Sequence, residues 1–178
     1  MSNLRLIKQV ETESNITSVS LTDVFSSDYD FYKVTVAETT YDVSNTDVIA
    51  LKIRFINSSG TKISASNYDS ANMLMKAEAT KDEDKFQNGT YSYSGVLIGN
   101  YENAGGSHWI YNPYQSDVYT FINFEGAGGY DTSSNKMRSA KGIGVLKQQA
   151  SMTGICFYSS NTANTFSAVV SVYGLRVD

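Results

Sequence analysis

Ile49-Ala50-Leu51-Lys52-Ile53-Arg54-Phe55-Ile56 alternates along its length, with Leu51, Ile53 and Phe55 on one side of an extended chain and Lys52 and Arg54 on the other. Successive side chains of a strand point to opposite faces, so this stretch reads as a half-buried β-strand. The pattern recurs on either side of it. Phe31-Tyr32-Lys33-Val34-Thr35-Val36 sets Tyr32, Val34 and Val36 together. Residues 167–177 carry Ala168, Val170 and Val172 on one face and Val169, Tyr173 and Leu175 on the other, a strand expected to be covered on both sides.

Shorter runs at residues 4–10, 73–79, 91–98, 108–111, 118–124, 143–147 and 155–158 complete the set. Turn signals separate them: Asn57-Ser58-Ser59-Gly60, Asn88-Gly89, Ala104-Gly105-Gly106, Gly126-Ala127-Gly128-Gly129 and Ser159-Ser160-Asn161. About ten short strands divided by polar turns describe an all-β sandwich or jelly roll. Residues 67–80 could carry a helical face through Met73, Leu74, Ala77 and Lys81, but Ala71, Met73, Met75, Ala77 and Ala79 also alternate, and strand is the reading taken. No internal repeat or Pro-rich linker divides the chain, so residues 1–178 are read as one domain.

Composition narrows the function classes. With 41% hydrophobic and 18% charged residues the chain has enough apolar material for a core. A formal net charge of -4, with the Lys and Arg residues scattered, disfavours nucleic acid. No apolar run approaches a membrane span, and residues 1–10 lack the long apolar segment and cleavage site of a secretory signal. The Asn15, Asn57 and Asn88 glycosylation triplets then read as chance matches, and synthesis in a reducing cytoplasm is expected. Two departures from average usage stand out. There is one proline, Pro113, where ordinary usage gives roughly nine, and there are 13 tyrosines, a residue suited to strands and contact surfaces.

Chemistry-bearing residues are few. His108 precedes Trp109-Ile110-Tyr111, and Cys156 lies within Ile155-Cys156-Phe157; a nucleophile–base pair between them can be imagined, but both read as structural. One His and one Cys do not furnish a zinc site. Asp28-Tyr29-Asp30 and Asp82-Glu83-Asp84 gather carboxylates without a calcium-loop spacing, and Lys81-Asp82-Glu83-Asp84-Lys85 reads as a solvated turn, so no cofactor is expected. Glu102, Asp117 and Glu125 lie near aromatics, but sequence spacing does not establish an opposed carboxylate pair. Gly126-Ala127-Gly128-Gly129 and Gly142-Ile143-Gly144 lack the remainder of a phosphate-binding motif and read as turns or close backbone approaches. Aromatic residues interleaved with Gly, Asn and Ser from position 91 to 130 form a candidate contact surface, carried by Tyr91, Tyr93, Tyr101, Trp109, Tyr111, Tyr114 and Tyr130. Tyr119, Phe121 and Trp109 are expected to turn into the core.

Several phrases, read in order, resemble small virion proteins of tailed bacteriophages, the marine and cyanobacterial kinds above all. They are Asp23-Val24-Phe25 with Asp28-Tyr29-Asp30-Phe31-Tyr32-Lys33-Val34, Leu51-Lys52-Ile53-Arg54-Phe55-Ile56-Asn57, Tyr111-Asn112-Pro113-Tyr114-Gln115-Ser116, Gly144-Val145-Leu146-Lys147 and Val172-Tyr173-Gly174-Leu175-Arg176-Val177-Asp178. The resemblance implies a non-enzymatic part of the particle, made in the host cytoplasm and incorporated into the virion. Its partners would be other capsid or tail proteins and further copies of itself, as a homo-oligomer. Decoration of the capsid is the leading expectation, because the chain has no shaft-like repeat; a tail module binding a host-surface glycan is the alternative, and a depolymerase is more distant. The N-terminal segment from Ser2 and the C-terminal strand ending at Asp178 are expected to be the sheet edges that neighbours cover.

Overall fold

The structure, a computed structural model, describes residues 3–13, 16–29, 31–41, 48–77, 82–99, 103–129, 137–159, 161 and 164–176. Alternation in the sequence becomes burial in space: Leu51, Ile53 and Phe55 are sealed, as are Tyr32, Val34 and Val36, while Lys52 and Arg54 turn outward. Twelve strands are present among the described residues: β1 (Leu4–Glu11), β2 (Ser18–Leu21), β3 (Phe31–Tyr41), β4 (Ile49–Asn57), β5 (Tyr68–Lys76), β6 (Asp82–Gly89), β7 (Ser92–Ile98), β8 (Ala104–Tyr111), β9 (Thr120–Ala127), β10 (Arg138–Leu146), β11 (Met152–Ser159) and β12 (Phe166–Leu175). They form an antiparallel sheet of eight, in the order β1-β12-β3-β8-β9-β10-β5-β6, and one of four, β2-β11-β4-β7. The protein is an all-β sandwich, as the alternation predicts.

One apolar core joins the sheets. Tyr32, Val34 and Val36 of β3, Ile122 and Phe124 of β9 and Val170 and Val172 of β12 face Leu51, Ile53 and Phe55 of β4 and Ile155 and Phe157 of β11. Tyr68 is completely buried, yet its hydroxyl is satisfied: it accepts from the Phe55 amide at 3.0 Å and donates to the Ile63 carbonyl at 3.1 Å. Tyr68→Phe is therefore expected to cost about 1–3 kcal/mol by urea denaturation, since it strands a buried donor. A loss near zero would mean that the Phe55 amide finds another partner.

The sheets come closest where small residues line the inner faces. A methyl added at Gly126 of β9 would lie 2.1 Å from the Gly95 carbonyl oxygen of β7, and one at Gly144 of β10 would lie 2.2 Å from Ser92 Oγ. The expected close backbone approaches are thus where β7 rests on the larger sheet.

Three expectations need correction, and one strand, β2, has no counterpart among them. The charged run at Asp82 is a strand, β6, and not a solvated turn: it hydrogen-bonds β5 as an edge, and with nothing packed on it charge costs little. β2 gave no clear pattern because only four residues are involved. The C-terminal strand is not an edge, since β12 lies between β1 and β3; the edges are β1 and β6 in the large sheet and β2 and β7 in the small one. Finally, Tyr119 and Phe121 are 42% and 47% exposed and Trp109 is half-buried on the outer side, because the alternate residues Thr120, Ile122 and His108 take the inward positions.

Candidate functional site

β8, β9, β10 and β5 of the eight-stranded sheet turn one set of alternate side chains to the core, and among the described residues the opposite set is exposed or half-buried. Pairing register lays out what that face carries. One row runs Phe31, Tyr111, Phe121, Val145, Asp69; the next runs Lys33, Trp109, Asn123, Ile143, Ala71, Lys85. A third runs Ser107, Glu125, Lys141, Met73, Glu83, and a fourth Gly105, Ala127, Ser139, Met75. Phe121, Ile143, Met73 and Met75 are 47%, 61%, 45% and 47% exposed, unusual for side chains of this size on β-strands.

Three concavities lie along this face and share lining residues. The largest, about 700 Å³, lies over β6, β5, β10 and β9 and is bounded by Lys85, Gln87, Phe121, Asn123 and Ile143. A second, about 350 Å³, adds Trp109, Ser107, Glu125 and Lys141. A third, about 400 Å³, reaches Gly105, Ala127, Ser139 and Met75. Together they form a diagonal groove from β6 to β8. Its floor dips where the outward residues are Gly105, Ala127 and Ala71, and larger side chains rise on either side.

The charges of the groove are largely paired. Lys141 Nζ lies 3.9 Å from Glu125, both well exposed, a weak pair. Lys147 Nζ lies 2.8 Å from Asp69 Oδ1 and donates to Asn88 Oδ1 at 2.7 Å. The hydrogen bond from Lys147 and the Asn88 amide hold the Asp69 carboxyl below the ordinary range. Glu125 and Asp69 are thus each matched to a lysine. Asp117 is exposed in the β8–β9 connection, and Glu102 lies outside the described residues. Among the described residues no three His, Cys, Asp or Glu side chains gather to hold a metal ion.

The aromatic surface read from the sequence divides between two faces. Trp109 and Tyr111 lie on the open face of the large sheet, each 5.8 Å from Phe31 by ring centroid, with Lys33 over the Trp109 ring at 5.6 Å. Tyr91 and Tyr93 belong to a separate cluster beside the small sheet. They pack edge-on against Phe86 at 5.0 Å, with Lys52 Nζ 3.7 Å over the Tyr91 ring. Burial, and then the hydrogen bond that Tyr93 donates to Asp84, raise the Tyr93 hydroxyl pKa. Tyr114 is 40% exposed in the β8–β9 connection, and Tyr101 and Tyr130 lie outside the described residues. Ile143, Asn123 and Lys141 have no place in the aromatic surface read from the sequence, and Phe121 is expected there to face inward. Ile143 had a readable signal: glycines at 142 and 144 occupy the inward positions, so alternation points the isoleucine out.

His108 and Cys156 are remote from that face. The His108 ring lies between the sheets, with Nε2 2.8 Å from the Ser94 carbonyl and Nδ1 3.2 Å from that of Val34, and the Phe157 ring 5.1 Å away. Cys156 is a buried free thiol of β11.

No family model matches this chain, and no curated protein does either. Among solved structures it is similar to alginate lyase A1-II′, a member of polysaccharide lyase family 7, with 10% identity over 84% of this chain and 64% of that one and a TM-score of 0.29. A doubly substituted form of that enzyme bound to substrate also gives 0.29, over 63% of its length, and a product-bound form gives 0.27 over 62%. The chain therefore spans under two thirds of the enzyme's length, and a likeness at this level carries nothing about activity or ligand.

Proposed function

We propose that this protein is a non-enzymatic structural component of a tailed-phage particle, decorating the capsid surface and working by contact. The observation that carries the contact reading is the open face of the eight-stranded sheet, which presents Phe121, Ile143, Met73 and Met75 to solvent while the single histidine and cysteine are enclosed in the core. Apolar exposure on that scale, interleaved with Lys, Glu and Asn, is the composition of a binding surface. The resemblance of its sequence phrases to small virion proteins supplies the particle. Copies held side by side along edges such as β1 would make modest interfaces secure through their number. A tail module that touches the host is the second reading, favoured by the aromatic groove.

Purified protein added to undecorated capsids should bind saturably, and antibody labelling of whole particles should mark the capsid shell. Labelling confined to the tail transfers the protein to the second reading. Its absence from purified particles overturns both.

A further inference from the structure

We infer that the diagonal groove on the open face of the large sheet binds a linear, largely neutral oligosaccharide, a proposal that rests on the contact reading above but not on where in the particle the protein sits. An extended chain is called for by shape. The three recesses adjoin through shared lining residues and together cross from β6 to β8, four strand spacings or about 19 Å, long enough for several sugar rings in a row.

The chemistry of the walls decides between an extended peptide and a sugar. A peptide gains most of its affinity on a β-protein by adding itself to an open edge, where unpaired amides and carbonyls await it. This groove crosses the interior strands β5, β10 and β9, whose backbones are paired on both sides. A peptide laid here would have its own amides and carbonyls unmatched, at a cost for each one buried. What the groove offers instead is side chains of two kinds. Phe121, Ile143 and Trp109 give flat or broad apolar surfaces, and Asn123, Lys141, Glu125, Ser107 and Gln87 stand among them with donors and acceptors. A pyranose ring has the same division, with C–H faces that pack on aromatic carbon and a rim of hydroxyls that both donate and accept.

Charge fixes the class further. Glu125 is matched by Lys141 and Asp69 by Lys147, so the groove has little net field of its own. Among the described residues that line the groove, Lys85 at the β6 end adds one further cationic position, which suits an occasional acidic substituent and not a polyanion.

The test uses the intact protein on arrayed linear oligosaccharides, neutral and uronate-containing, followed by calorimetric titration of the best binder. Neutral linear chains should bind, and Phe121→Ala and Asn123→Ala should each weaken them by about tenfold or more, the usual effect of removing an anchor. Lys62→Ala, exposed in the β4–β5 connection and outside the groove, should leave affinity unchanged, and thermal melting should show all three variants folded. Absence of binding to every arrayed chain overturns the inference, as does binding indifferent to Phe121 and Asn123, or preference for densely acidic chains alone. If the groove variants lose particle binding while sugar affinity is unchanged, the groove is the particle interface and the sugar inference fails while the contact reading stands.

Discussion

Gly126→Ala is expected to destabilise the sandwich by about 3 kcal/mol or more, with a visible loss of folded protein. The inward position of residue 126 on β9 faces β7 of the other sheet. An added methyl would stand 2.1 Å from the Gly95 carbonyl oxygen and 2.5 Å from its carbon, with the Val96 amide nitrogen at 3.0 Å. These are main-chain atoms and cannot rotate aside. Gly95 itself has a φ of +73°, so the opposing backbone is already held where few residues fit. Relief requires moving one sheet away from the other, which opens the core at Val96 and Phe124. Gly144→Ala is the matched comparison, because its methyl meets Ser92 Oγ, a side-chain atom that can turn. Urea denaturation should rank Gly126→Ala as the costlier change. Equal small losses would show that the sheets can separate there without penalty.

How much of this was legible in the sequence depended on what each residue faces. The core strands announced themselves, because a position sealed between two sheets must be apolar and its neighbours need not be: Leu51, Ile53 and Phe55 against Lys52 and Arg54 is the plainest case. The edge strand β6 was illegible for the opposite reason. Asp82, Glu83, Asp84 and Lys85 cover nothing, so only backbone pairing to β5 makes them a strand, and backbone pairing leaves no mark on side-chain pattern. The groove was hidden by a related ambiguity. Thr120-Phe121-Ile122-Asn123-Phe124 has large apolar residues on both parities, and alternation alone does not say which set is inside. Phe121 was assigned inward, whereas the structure seals Ile122 and Phe124 and exposes Phe121. Contact with the other sheet settles it: Gly126 abuts Gly95 of β7, so the parity of 122, 124 and 126 must face β7. The aromatic run likewise read as one surface because neighbours in sequence are easily taken for neighbours in space. Tyr93 on β7 and Trp109 on β8 belong to different sheets, and their side chains leave the sandwich on different sides.

The second large effect is acid lability through His108. Its ring is enclosed between the sheets and held by two carbonyl groups, Ser94 on β7 and Val34 on β3, while Phe124 flanks it across β9 and Phe157 approaches from β11. Two acceptors would favour an imidazolium, which can donate from both nitrogens. A neutral ring has one N–H, and the 2.8 Å contact of Nε2 with Ser94 is the better bond, so we place the proton there. Desolvation works the other way and is the larger influence: no carboxylate is found among the buried side chains described, so nothing neutralises a charge in that position. The balance holds the imidazole pKa down to about 4 from an ordinary 6.5. The folded protein therefore binds fewer protons than the unfolded chain between those values. Stability is full above about pH 6.5, falls as the pH drops through the window, and levels off with respect to this group below about pH 4. A shift of this size corresponds to about 3 kcal/mol, a large share of the stability of a domain. Urea denaturation from pH 7 to pH 4 should show the decline. His108→Gln, which keeps a donor but does not titrate, should start less stable at pH 7 and lose much less on acidification. If the two proteins decline in parallel, the histidine is not the group that senses acid in this window; the Asp69 carboxyl, held below the ordinary range, gives up its contribution only at lower pH.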